Sequence, residues 1–181
     1  MPLLSRAGEI IDAWLSLDTD AVPTGERDVI LPLARLDVDG TAVLAGGRRL
    51  GVAVGGDTAL GTLVPWFDRL SLIALHFPSF TDGRGFSLAR QLRLRGFKGE
   101  LRASGYLIAD QFGFALAAGF DTVEIDAALV QRQPIADWLA AAATISLSYQ
   151  RDYAGPRNIL EARRAARGAR QSAVAQTEPA K

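Results

Sequence analysis

Residues 72–102 read LIALHFPSFTDGRGFSLARQLRLRGFKGELR, and the fold turns on how this stretch is parsed. An apolar run ends at His76 and Phe77, a polar glycine-containing turn covers residues 81–87, a basic helix follows, and a second strand begins near Glu100. Two strands joined by one helix are parallel, because a helical crossover returns the chain to the same end of the sheet with a right-handed sense. The unit recurs. Gly96-Phe97 ends one helix and leads into Glu100-Leu101-Arg102, and Gly119-Phe120 ends the next and leads into Val123-Glu124-Ile125. Repeated βα units predict an α/β fold with a small, mostly parallel sheet of about five strands, partial-barrel or flavodoxin-like, with flanking terminal helices.

Outward from this centre, Leu50 to Val54 and Leu70 to His76 read as buried strands. Asp57 or Thr58 can cap a short helix running to about Leu63, and Ser87 can cap a helix from Leu88 to about Arg95. Residues 106–118 predict a further helix stopped by Gly119, residues 122–125 a strand, and residues 134–147 a helix with proline in its first turn. Upstream, Ile10, Ile11, Trp14 and Leu15 share a helical face and predict a short amphipathic helix over residues 8–17. Residues 28–36 predict a strand interrupted by Pro32, which gives no ladder donor and therefore marks an edge or an end. Asp37-Val38-Asp39-Gly40 reads as a turn, with a short strand over residues 41–44. The domain expectation is an N-terminal helix and linker over 1–27, one α/β domain over 28–153, and a basic helix with a polar tail over 154–181. Arg163, Arg164, Arg167 and Arg170 make that last segment either a solvated terminal helix or a docking arm for an acidic partner.

Composition narrows the chemistry. With 20 acidic against 20 basic residues in 181, no global field favours nucleic acid or an anionic membrane. The absence of cysteine removes disulfides, thiol catalysis and thiolate-held zinc or iron–sulfur centres. The lone histidine, His76, gives a poor basis for a transition-metal site, so none is assigned. No secretory signal and no run of roughly 20 apolar residues is present, so a cytoplasmic location is expected.

In a parallel sheet, ligands bind beyond the carboxyl ends of the strands. Four turns collect there: Gly55-Gly56-Asp57, the turn around Asp82, Ser104-Gly105-Tyr106, and Asp126 onward. Gly83, Arg84, Gly85 and Ser87 could cradle an oxyanion, with Arg84 supplying a planar fork and the helix start adding positive partial charge. The competing reading makes Asp82 a turn residue through its Asx chemistry, with Arg84 paired to a nearby carboxylate. The dinucleotide pattern fails, since Leu88 stands where a third glycine is required, and no phosphate loop GxxxxGK[ST] exists. His76 is either a satisfied interior histidine or an acid/base served by Asp82 or Asp110. Alternation puts Glu100, Arg102 and Ser104 on one face, with Arg102 an anion-binding candidate or an ion-paired strand residue, Glu124 and Asp110 being the expected partners. No cofactor or oligomeric state is specified.

Residues 77–105, FPSFTDGRGFSLARQLRLRGFKGELRASG, followed by Asp110-Gln111 and Gly119-Phe120-Asp121, resemble the domain of unknown function 934 family of bacteria. The likeness is dense from about Leu50 to Ile125. It implies a protein of assimilatory sulfite reduction, sometimes labelled an oxidoreductase, whose relatives are similar in lying beside sulfite/nitrite reductase genes. The implied role is accessory to the reductase, through contact with it or by handling a small oxyanion at the Asp82–Ser87 turn. Without thiolate ligands, any electron transfer would need an organic cofactor or the partner's own centres. A stand-alone partial (βα) barrel enzyme that binds a phosphate-bearing ligand at the strand ends, with Asp82 or His76 as catalytic acid/base, and a non-catalytic interaction module, are the alternatives. The family usually carries an acid after the Arg-Ala-x-Gly step, where this chain has Tyr106.

Overall fold

The computed structural model describes residues 1–144 apart from 22–24 and 26. Residues 1–144 form one compact unit. The strands are β1 (Leu3–Ser5), β2 (Gly8–Ile10), β3 (Trp14–Ser16), β4 (Asp28–Pro32), β5 (Leu50–Gly55), β6 (Leu70–Phe77), β7 (Glu100–Gly105) and β8 (Thr122–Glu124). They join into one eight-stranded sheet in the order β2-β1-β8-β7-β6-β5-β4-β3. From β3 to β8 every pairing is parallel, while β1 pairs antiparallel with both β2 and β8.

The βα expectation holds at the coarse level, and the strand count does not. The sheet is mixed and larger than about five strands because the N-terminal residues add to both of its edges. The helix expected over residues 8–17 is instead β2 and β3, one at each edge of the sheet. This dictates the shape. Eight strands laid flat at about 4.8 Å spacing would hold the edge strands roughly 34 Å apart. Residues 11–13 alone join β2 to β3, and four extended residue steps span at most about 14 Å. The sheet therefore curls into a half-barrel that brings its edges together.

The helices are α1 (Leu33–Ala45), α2 (Leu60–Leu63), α3 (Arg84–Leu94), α4 (Ala109–Ala118), α5 (Ala127–Arg132) and α6 (Ile135–Thr144). Sequential parallel strands with right-handed crossovers place their helices on one face, as in part of a (βα) barrel. The main core lies there: Val29, Val52, Ile73, Leu75 and Leu101 pack with Leu36, Leu92 and Phe112. Pro32 ends β4 and immediately precedes α1, as a residue without a ladder donor should. The turn and strand expected over 37–44 are instead the body of α1. Leu36, Gly40 and Val43 form its buried stripe, and Gly40 gives room to the Trp66 ring, which a Cβ there would approach to 3.1 Å. Trp66 Nε1 donates to Asp37 Oδ1 at 3.1 Å, and Arg35 pairs with Asp39 at 2.6 Å. α3 begins at Arg84, one turn earlier than expected, so Ser87 lies within the helix rather than capping it. Residues 106–108 stay out of α4, which starts at Ala109. α5, capped by Asp126, was not anticipated. The expected segment over 154–181 and the last residues of the 134–147 helix lie outside the described residues.

Candidate functional site

The concave face is built from the other half of each strand's alternation. The register aligns Leu72 with Glu100, Ala74 with Arg102 and Thr122, and His76 with Ser104, while Ala103 aligned with Val123 puts Glu124 in the His76–Ser104 row. Gly51, Ala53 and Gly55 on β5 and Ala74 on β6 keep this face shallow. At its lower level Trp14, Ile30, Leu72 and Ala74 form a second apolar cluster. Leu72 reaches it through an irregularity at Leu50/Gly51, where β6 gains Ser71 and the alternation shifts.

Arg102 sits in the middle row with 1% of its side chain exposed. Its Nη1 and Nη2 donate to the two Asp12 carboxylate oxygens at 2.8 and 3.1 Å, and Nε and Nη2 donate to Glu100 Oε1 at 3.2 Å each. Thr122 Oγ1 donates to the same Glu100 oxygen at 2.7 Å. Asp12 also accepts from the Trp14 amide at 3.0 Å, and Arg27 donates to the Trp14 carbonyl at 2.8 Å. The buried guanidinium thus clamps residues 11–13 across the curled sheet. The expected partners Glu124 and Asp110 do not contact it, and with two carboxylates already engaged it has little to offer an anion.

The Asp82 turn is closed on itself. Asp82 Oδ1 accepts from the Arg84 amide at 3.0 Å, and the Arg84 guanidinium folds back onto both Asp82 oxygens, the shortest contact being 2.7 Å. The Arg84 guanidinium beside Asp82 holds its carboxyl down at about 2. Phe86 N–H donates to Gly83 O, and Gly56 packs so tightly on Gly85 that a Cβ there would lie 2.7 Å from the Gly85 nitrogen. Gly85 in turn must be glycine, since a Cβ would meet the Phe77 ring at 2.5 Å. Ser87 is exposed on α3. The arrangement matches the Asx-turn reading, with Nε and Nη2 of Arg84 committed to Asp82 and the guanidinium otherwise exposed to solvent.

His76 stands apart from both carboxylates proposed to serve it. Among the described residues it makes no hydrogen bond or ion pair with Asp82 or Asp110, and Asp110 is exposed in the first turn of α4. His76 instead faces a cavity of about 380 Å³ at the carboxyl ends of the strands, with Ser104, Glu124, Asp126, Ser16 and Tyr106. Gly105 shapes this mouth. Its φ is +92°, and a Cβ there would press on the Phe77 carbonyl and lie 2.7 Å from the His76 ring. Asp126 Oδ1 caps α5 by accepting from the Ala128 amide at 2.7 Å. Gln111 braces the rim, since its Nε2 donates to the Phe80 carbonyl at 2.8 Å and its Oε1 accepts from the Ile108 amide at 3.2 Å.

The sequence placed the Ser104-Gly105-Tyr106 turn and Asp126 at the ligand end of the sheet, but it did not give Glu124 as lining one site with them and His76. The signal that could have found Glu124 was the alternation already applied to β7, extended across the predicted βα repeat to β8. The row is not a nucleophilic triad: there the imidazole stands between hydroxyl and carboxylate, whereas here Ser104 occupies the middle strand. It is a floor of hydrogen-bonding groups in a cavity at the ligand end of a parallel sheet.

The sequence matches, over residues 51–160, the family described as bacterial protein of unknown function (DUF934). The chain belongs to this family. The matched span holds every strand that contributes to the His76 row, while β1 to β4 lie before it. No curated protein matches the sequence.

Proposed function

We propose that this protein serves assimilatory sulfite reduction by binding a small organic ligand in the mouth of its half-barrel, beside His76, Ser104 and Glu124. The link to sulfite reduction rests on the family resemblance. The place of binding rests on one observation. Among the described residues, His76, Ser104 and Glu124 lie in one row on adjacent strands, make no hydrogen bonds or ion pairs through their side chains, and face the 380 Å³ cavity. In the Asp82–Arg84 turn, by contrast, both Asp82 oxygens are engaged by the Arg84 amide, Nε and Nη2. Glu124 and Asp126 disfavour free sulfite or sulfate in the mouth by like-charge repulsion, so the ligand is a donor-rich organic molecule and the sulfur oxyanion is left to the partner reductase.

A deletion strain tests the physiological half of this reading. It should fail to grow on sulfate and recover on cysteine, whereas normal growth on sulfate would remove the link to sulfite reduction. The second reading, an enzyme in its own right, is favoured by the exposed, uncommitted imidazole of His76 at the ligand end of a (βα) sheet, with Glu124 lining the same cavity.

A further inference from the structure

A second cavity of about 270 Å³ adjoins the mouth, and the two share Gly105, Tyr106 and Asp126 in their walls. Its character is different. Phe80, Leu107, Ile108 and Leu129 make it apolar, Tyr106 stands between the two lobes, and Arg132 closes one side. Phe80 and Tyr106 are 56% and 64% exposed, an unusual state for two aromatic side chains meeting at one cavity. Both are held by backbone rather than by packing. Phe80 is anchored through its carbonyl to Gln111, and the Tyr106 amide donates to Phe77 O at 2.9 Å. Among the described residues the Arg132 side chain makes no hydrogen bond or ion pair, and a guanidinium in that state offers a planar face for stacking.

We propose that the two lobes take one molecule, an aromatic heterocycle carrying a hydroxylated arm. The ring lies in the apolar lobe against Tyr106 and Phe80, with Arg132 on its open side. The arm's hydroxyls donate to Glu124 and Asp126 in the polar lobe, as carboxylates do for ribose hydroxyls in dinucleotide sites. Ser104 and His76 complete the floor. The inference rests on the mouth being the ligand site and adds the chemical class of the ligand. Two familiar sources share this chemistry: a ring with a ribityl arm and a ring with a ribosyl arm.

The full-length protein titrated with riboflavin and, separately, with adenosine tests the class and distinguishes the sources. At least one probe should bind at submillimolar concentration. Tyr106→Ala should weaken that binding by about tenfold, the usual scale for loss of a base–aromatic stack. Glu124→Gln should weaken it several-fold, while Arg84→Ala leaves it unchanged. Thermal unfolding of each variant separates lost binding from lost folding. Failure of both probes at millimolar concentration overturns the ring inference, as does binding indifferent to Tyr106 and Glu124. The mouth reading fails separately, if Glu124→Gln and His76→Ala both support normal growth on sulfate.

Discussion

At the scale of single residues, Arg102 shows how a charge inside a strand is used. Alternation within Glu100–Ser104 was enough to place Glu100, Arg102 and Ser104 on one face and to expect Arg102 to be paired. Its main partner was not legible, because Asp12 lies 90 positions away and reaches β7 only once the sheet has curled. A buried guanidinium between two carboxylates is expensive to break from one side. Arg102→Ala should therefore destabilise the protein by about 3–5 kcal/mol, because Asp12 and Glu100 would be left without their cation. Asp12→Asn should cost less, about 1–2 kcal/mol, since Glu100 still faces the guanidinium and asparagine can still accept from the Trp14 amide. Urea unfolding of the two variants checks this order, and equal, small effects would show that residues 11–13 are held by something else. His76 was legible as a strand-end histidine. Of the two carboxylates that share its cavity, Glu124 was not, because it joins His76 only through register across three strands.

At the scale of elements, local pattern succeeded where local forces decide and failed where a distant neighbour does. The glycine stops at Gly96 and Gly119 were readable because both residues adopt positive φ, at +92° and +109°, beyond the ends of α3 and α4. The segment Asp37–Gly40 looked like a turn by composition, yet α1 runs through it because the Trp66 ring fills the space beside Gly40. Ile10, Ile11, Trp14 and Leu15 have helical spacing, but Ile11 is 95% exposed and its neighbours are drawn into strands at opposite sheet edges. The Asp82 turn is the element whose pH behaviour follows from its geometry. The folded-state value of Asp82 lies below its ordinary 3.8, at about 2, chiefly through the hydrogen bond from Arg84. The pair's contribution is therefore fully present above about pH 4 and is lost as the pH falls toward 2. Arg84→Ala should be less stable than wild type at pH 5, with the difference shrinking as the pH falls from about 4 and vanishing only below about pH 2, as read from denaturation midpoints across that range. A difference constant with pH would mean that Arg84 acts by packing rather than by pairing with Asp82.

At the scale of the whole molecule, the decisive feature is that β2 and β3 occupy opposite edges of one sheet with three residues between them. Curling leaves a concave face that the described helices, packed on the other side of the sheet, do not cover. Its lower part is filled by Trp14, Ile30 and Leu72 and its middle by the Arg102 cluster, leaving the carboxyl end open as the mouth. The βα repeat made the parallel core of the sheet readable, while the closure depends on an N-terminal segment whose pairing partners are far off in sequence. No described helix is long and apolar enough to cross a membrane. The proposed function places ligand binding in the mouth and not in the Asp82–Arg84 turn. It is tested most directly by returning wild type, His76→Ala and Arg84→Ala to the deletion strain and measuring growth on sulfate, with cysteine-grown cultures and protein levels as controls. Arg84→Ala should restore growth on sulfate and His76→Ala should not. Full growth with His76→Ala and failure with an equally abundant Arg84→Ala would contradict that placement.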